Sequence, residues 1–279
     1  ADAGTGISID SRGGSGGTAG GVGTGGISGL LNNGTIEATN GKTLSFESGR
    51  YENGGIGLGG QLFANAGGTI VFNSDANFVN LTTGGVLDAG KLRVEGFGPT
   101  STINLRSAAA NSIAVIGTVG GGVTEVQLQG ANSVLQVTPF SGGAPVTIDQ
   151  TLRSVDASGV FALDGRNFTI VANSGNFSNA GLHFVRDSVF TANSYTNSGT
   201  LIGDGTSSIV SPIANTGTVL AGSGRVTTQE VKMVPITRRL SAAIPRAMPT
   251  PRMAPTRVWV VETGRPRPEA PTTVEAVAS

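Results

Sequence analysis

The side chains with the most chemical potential in this 279-residue sequence are a few carboxylates, a few arginines and one histidine. Asp149, Asp156 and Asp164 fall within 16 residues, with Arg153 and Arg166 beside them. Cleavage of a glycosidic bond needs two carboxyl groups about 5–10 Å apart. A fold that gathered these side chains on one face would offer a polysaccharide lyase or hydrolase, with an arginine to hold an acidic sugar. The composition argues against it. Sugar clefts use aromatic platforms, and residues 1–231 contain only Tyr51 and Tyr195 and no tryptophan. His183 is the single histidine, with Asp187 and Ser188 just after it. A nucleophilic triad needs a base held between nucleophile and carboxylate. A lone histidine between Gly181 and Phe184 reads first as a packed side chain. Its facing is open. An 18-residue register aligns it with Leu201 and Val219 and turns it inward, whereas alternation with an inward Phe184 turns it outward.

Other motifs carry less. Gly41-Lys42-Thr43 resembles the end of a phosphate loop, but the required earlier glycine is Ile36 and no strand–loop–helix pattern surrounds it. Gly203-Asp204-Gly205 looks like one turn of a Gly/Asp calcium repeat, but tandem nonapeptides are needed and no second copy follows. Cysteine is absent, which excludes disulfides and thiolate metal sites. The sequence therefore assigns no catalytic, cofactor-binding or metal-ligating residue, and the expectation is a protein that is not an enzyme.

The elements that would position these residues are strands. Alternating runs recur at Thr43–Glu47, Lys91–Glu95, Thr102–Arg106 and Glu125–Gln129, each with apolar side chains on one face. Gly, Asn and Ser clusters separate them, and no apolar stripe of helical period appears. Three segments align at a spacing of 18: Phe177-Ser-Asn179-Ala-Gly181, Tyr195-Thr-Asn197-Ser-Gly199 and Ile213-Ala-Asn215-Thr-Gly217. The theme Asn-x-Gly-Thr-apolar appears at Asn32–Ile36, Asn197–Leu201 and Asn215–Val219, with variants at Asn65–Ile70 and Thr83–Leu87. If each repeat is one coil, Asn179, Asn197 and Asn215 stack as an amide ladder. Phe177, Tyr195 and Ile213 stack as an apolar one, and Phe184, Ile202 and Leu220 as another. The glycine is expected to supply a positive-φ turn. At ~18 residues per coil the body would hold ~13 coils over ~60 Å.

These features resemble the passenger β-helices of Gram-negative autotransporters and two-partner-secreted adhesins. The similarity rests on the Asn-x-Gly-Thr repeat, the phrase GTVLAGSGRV at 217–226, the missing cysteine and the few aromatics. It covers residues 27–231. It implies a right-handed parallel β-helix (a β-solenoid), secreted or held at the bacterial cell surface, with a structural or adhesive role. Implied partners are host or bacterial surface glycans or proteins, and other copies of the chain. The outer membrane would be reached only through a translocator that the sequence does not contain.

Composition divides the chain. Residues 1–29 form a Gly-rich segment or first coil, 30–231 the solenoid, and 232–279 a Pro/Arg-rich tail. The first 231 residues carry a net charge of −5 and the last 48 a net of +5, with 8 of the 12 prolines, all three Met and Trp259 in the tail. The tail is expected to be disordered or an out-of-frame translation. An acidic body disfavours contact with phosphate backbones, so no nucleic acid is expected. Residue 1 is Ala and no leader follows, so the chain reads as a mature or excised piece.

Overall fold

The computed structural model describes residues 7–10, 29–54, 59–118 and 122–222. Most of the Gly-rich segment, 11–28, and the whole tail lie outside the described residues. The chain divides into two units, Ala1–Lys232 and Met233–Ser279, and every described residue belongs to the first.

The described chain is nearly all β, built of short strands in four mainly parallel sheets. All four alternating runs are strands, with their apolar side chains buried at every second residue. One sheet has eight strands in sequence order, from Thr35–Ala38 through Gln61–Ala64, Gly90–Glu95, Thr124–Gln129, Gly159–Asp164, Leu182–Arg186 and Thr200–Asp204 to Thr218–Ala221. We call it the long sheet. A second, here the corner sheet, stacks Val86–Leu87, Val115–Ile116, Ser154–Val155, Asn176–Asn179, Ser194–Asn197 and Ile213–Asn215, again in sequence order. The third step is taken first by a sheet containing Thr43–Asn53, Thr69–Phe78, Ser101–Leu105 and Ser133–Val137, and later by one of Phe168–Thr169, Val189–Thr191 and Ser208–Val210. From Gly159 onward the chain visits long sheet, third sheet and corner sheet in fixed order, and each visit pairs with the one before.

The length of a pass is not constant. Along the long sheet Thr35 pairs with Gln61, then Lys91, Glu125, Val160, Leu182, Thr200 and Thr218 follow. The steps between these partners are 26, 30, 34, 35, 22, 18 and 18 residues. The 18-residue spacing thus holds only for the last two steps, and the long sheet has eight strands, about 34 Å deep, where a uniform 18-residue coil gave ~13. The extra residues are spent at corners. Between Gly96 and Gly165 they include an antiparallel strand, Val146–Thr147, and a helical turn, Ile148–Thr151.

The interior is layered by residue type. The inward column of the long sheet runs Ile36, Leu62, Leu92, Val126, Phe161, His183, Leu201, Val219. Its middle is aliphatic. Toward the N-terminal end Phe46, Tyr51, Phe72 and Phe78 pack ring to ring, and toward the C-terminal end Phe161, Phe168, Phe177, Phe190 and Tyr195 do so. Offset and edge-on ring pairs add to the area they bury.

The Asn ladder forms as the spacing implies. Asn179, Asn197 and Asn215 are register partners. Asn179 Nδ2 donates to Asn197 Oδ1 at 2.8 Å and to the Thr200 carbonyl at 3.0 Å, and Asn197 Nδ2 repeats this onto Asn215 Oδ1 at 2.7 Å and Thr218 at 3.1 Å. Each amide therefore ties a corner to the start of the next long-sheet strand. A second, shorter ladder links Asn32 Nδ2 to Asn53 Oδ1 at 2.8 Å and to the Gln61 carbonyl at 3.0 Å. Between the two ladders the same corner is apolar, with Leu87, Ile116 and Val155.

The expected positive-φ glycine is found in the variants, at Gly67 and Gly85, but the glycine of the Asn-x-Gly-Thr repeat itself has a different reason. Gly34, Gly181, Gly199 and Gly217 are not among the positive-φ glycines. A Cβ on Gly181, Gly199 or Gly217 would instead lie 2.2–2.3 Å from a carbonyl oxygen of the preceding pass. Close backbone approach, not turn handedness, demands the glycine.

Candidate functional site

His183 points inward. It is fully buried in the strand Leu182–Arg186, with Val185 on the same face. Its ring stacks on Phe161 at 5.3 Å and on Tyr195 at 5.8 Å and meets Phe190 edge-on at 4.6 Å. Nδ1 is 2.9 Å from the Tyr195 hydroxyl, while Nε2 has no partner. Burial pushes its pKa down to about 3, so at neutral pH the ring is uncharged. Burial likewise raises the Tyr195 phenol. Phe184 is the outward residue, and the column Phe184, Ile202, Leu220 exists in register but on the outer face.

No triad forms around His183. Asp187 sits at φ +47° on an exposed turn, where its carboxylate accepts from the Thr206 N–H at 2.8 Å and hydroxyl at 3.1 Å. Those two bonds hold its pKa below the usual carboxylate range. Ser188 is buried and donates to the Arg186 carbonyl at 2.6 Å while accepting from the Arg166 N–H. The histidine's bond goes to a core tyrosine, so base, nucleophile and carboxylate point three different ways.

The three aspartates sit in different local settings. Asp149 lies on the helical turn and pairs with Arg166 at 2.8 Å. Arg166 is 9% exposed, also donates from Nε to the Ser133 carbonyl at 3.0 Å, and lies over the Phe168 ring. Asp164 ends a long-sheet strand and is held by Arg186 of the next strand, with Nε–Oδ1 at 3.0 Å. Asp156 sits on the turn before that same strand begins, so the six residues Gly159–Asp164 separate it from Asp164. At about 3.3 Å per residue that is roughly 16 Å, beyond the reach of a two-carboxylate mechanism. Arg153 is exposed beside the corner sheet. The sequence pattern could not show that two of these carboxylates are matched one to one with arginines. Asp149 and Arg166 are 17 residues apart, and Asp164 and Arg186 are 22.

Among the described residues no group of three or more His, Cys, Asp or Glu side chains is placed to hold a metal ion, and no helix is long and apolar enough to cross a membrane.

The most distinctive polar surface is one that no motif flagged. The outward side chains of the long sheet's middle strands form a grid, with strands about 4.8 Å apart. Gln61, Lys91 and Glu125 make one row and Phe63, Arg93 and Gln127 the next. Lys91 meets Glu125 at 3.0 Å, Gln127 meets the same carboxylate, and Arg93 bridges Glu95 and Gln129 while lying 4.7 Å over the Phe63 ring. Gln61, Lys91, Arg93, Glu125 and Gln127 line a hollow of about 210 Å³. The grid presents alternating donors and acceptors plus one ring face. Alternation in sequence marks these residues as outward, but only the register places them side by side.

Comparison with family models, with curated proteins and with solved structures finds no match to this chain.

Proposed function

We propose that residues 30–231 are a right-handed parallel β-helix acting as a non-catalytic structural or adhesive passenger segment, secreted or displayed on a bacterial cell surface. Its contact surface in this reading is the outer face of the long sheet, and its partners are surface glycans or proteins. The observation that carries the reading is the polar grid of Gln61, Lys91, Arg93, Glu125 and Gln127 on the outer face of the eight-stranded sheet. The stacked amides and ring columns fit a chain whose stability comes from repetition. The Gram-negative passenger resemblance supplies the location.

The test is binding of the purified chain to an array of surface polysaccharides and glycoproteins, with an Arg93→Ala/Gln127→Ala double variant alongside. Both changes are outward, so the circular dichroism melt should stay within a few degrees of wild type. Binding that drops at least about tenfold in the double variant, equivalent to about 1.4 kcal/mol, supports an adhesive face. Sugar release from an acidic polysaccharide that disappears in Asp149→Asn or Asp164→Asn would overturn the non-catalytic reading. A left-handed path in a crystal structure would overturn the handedness.

A further inference from the structure

The outermost described turns at the two ends of the stack carry similar text, with Asn, Gly, Thr and Ala at the same four of nine positions. Leu30-Leu31-Asn32-Asn33-Gly34-Thr35-Ile36-Glu37-Ala38 begins the corner-to-long-sheet path, and Ile213-Ala214-Asn215-Thr216-Gly217-Thr218-Val219-Leu220-Ala221 ends it. From this match we infer that copies of this chain associate head to tail, with residues 213–221 of one copy seated on residues 30–38 of the next.

Three observations support a second copy as the occupant. The amide ladder has a direction. Asn32, Asn179 and Asn197 each donate from Nδ2 forward to the Oδ1 of the next Asn and to the first carbonyl of the next long-sheet strand. At the C-terminal end Asn215 Nδ2 keeps only the bond to the Gly217 carbonyl of its own corner, at 3.2 Å, which Asn197 also makes to Gly199 at 3.4 Å beside its two forward bonds. At the N-terminal end Asn32 Oδ1 accepts only the local Gly34 N–H at 3.0 Å among the described residues. A forward donor therefore ends one edge and a backward acceptor begins the other. Both asparagines stand three residues before the threonine that opens their long-sheet strand, so both of Asn215's interior bonds would be restored at once by Asn32 and Thr35 of a second copy.

The second observation is Gly34. Glycines at this position inside the stack lie against a carbonyl: a Cβ on Gly60 would stand 2.2 Å from that of Asn32, on Gly181 2.3 Å from that of Gly159, on Gly199 2.2 Å from that of Gly181 and on Gly217 2.2 Å from that of Gly199. At Gly34, among the described residues, only Asn32 Oδ1 comes within 4 Å, at 4.0 Å. The space is shaped for a preceding carbonyl, and in a head-to-tail pair the Gly217 carbonyl fills it, as Gly199 fills that of Gly217.

The third is the chain's own continuation. No asparagine follows Asn215 anywhere in the sequence, and an 18-residue step from Asn215 and Gly217 reaches Met233 and Pro235. Neither residue can donate as Asn215 and its neighbours do, whereas Leu30–Ala38 offers the matching Asn32. The apolar columns also match, with Val219, 41% exposed, meeting Ile36. End-to-end binding needs the stacked strands alone and holds for an adhesive and a purely structural chain alike.

The experiment is sedimentation velocity on the full chain across a hundredfold concentration range. Wild type should form a ladder of oligomers that lengthens with concentration. Gly34→Val fills the open space at one end, and Val219→Lys charges the other. Each should raise the apparent dissociation constant at least about tenfold, a cost of about 1.4 kcal/mol, while keeping the wild-type circular dichroism spectrum. Should Val219→Lys unfold, Leu220→Glu blocks the same end from the outer face, opposite Glu37. Equimolar Gly34→Val and Val219→Lys should recover dimers and nothing longer, because one good junction remains between them. A wild type that stays monomeric over the range overturns the inference, as does Gly34→Val associating like wild type. Longer oligomers in the mixture would equally place the interface elsewhere.

Discussion

His183 is the one titratable ring in a column otherwise made of Ile, Leu, Val and Phe. Its folded pKa of about 3 lies below the ordinary value of 6.5 because burial opposes the charge. Between those values the unfolded chain binds a proton that the folded chain does not. Stability from this group is therefore fully present above pH 6.5 and falls as pH drops toward 3, by about 1.4 kcal/mol per unit. Urea unfolding of wild type should lose about 2–3 kcal/mol between pH 6.5 and 4.5 from this source. His183→Leu should flatten that window, leaving the slope to the carboxylates. At pH 7.5 the leucine variant should cost only about 1 kcal/mol, for the stranded Tyr195 hydroxyl. An unchanged slope in the variant would show that the ring is not buried as described.

At the level of the element, the repeat glycines are where sequence and backbone meet most tightly. Gly199→Ala would press a methyl group onto the Gly181 carbonyl, and the strand cannot shift without breaking the Thr200 N–H bond to that same oxygen at 2.8 Å. We expect a loss of about 2–3 kcal/mol in thermal or urea unfolding, against less than about 0.5 kcal/mol for Gly34→Ala at the open edge. Much of this was legible beforehand. Alternation located the strands, and the 18-residue spacing of Asn179, Asn197 and Asn215 gave their register before any coordinates. The facing of Phe184 and His183 was not legible, because two apolar neighbours satisfy either alternation. Nor were the wide passes, since corner insertions such as Ile148–Thr151 carry no period. The ion pair of Asp149 with Arg166 and the grid around Arg93 depend on which strands lie side by side, and that depends on those same pass lengths.

For the whole molecule, parallel stacking makes stability a sum of neighbouring contacts, as in other repeat architectures. Gly90–Glu95, Thr124–Gln129 and Gly159–Asp164 are paired on both sides, while among the described residues Ser208–Val210, Ile213–Asn215 and Thr218–Ala221 are each paired on one side. Amide hydrogen exchange at low protein concentration should be slowest in the first group and fastest in the second, with a graded rise between. Uniform exchange across all eight long-sheet strands would contradict a nearest-neighbour stack.

The shrinking pass has a consequence in time. Bringing the ends of a loop together costs about 0.6 kcal/mol more for each doubling of its length, and the steps along the long sheet fall from 35 residues to 18. The shortest loops, around Leu182–Ala221, close at the least entropic cost and so favour nucleation there. A finished turn then offers its edge as a template, and the wider loops before it join one after another. The chain would assemble against the direction in which it is synthesised, its last-made turns seeding its first.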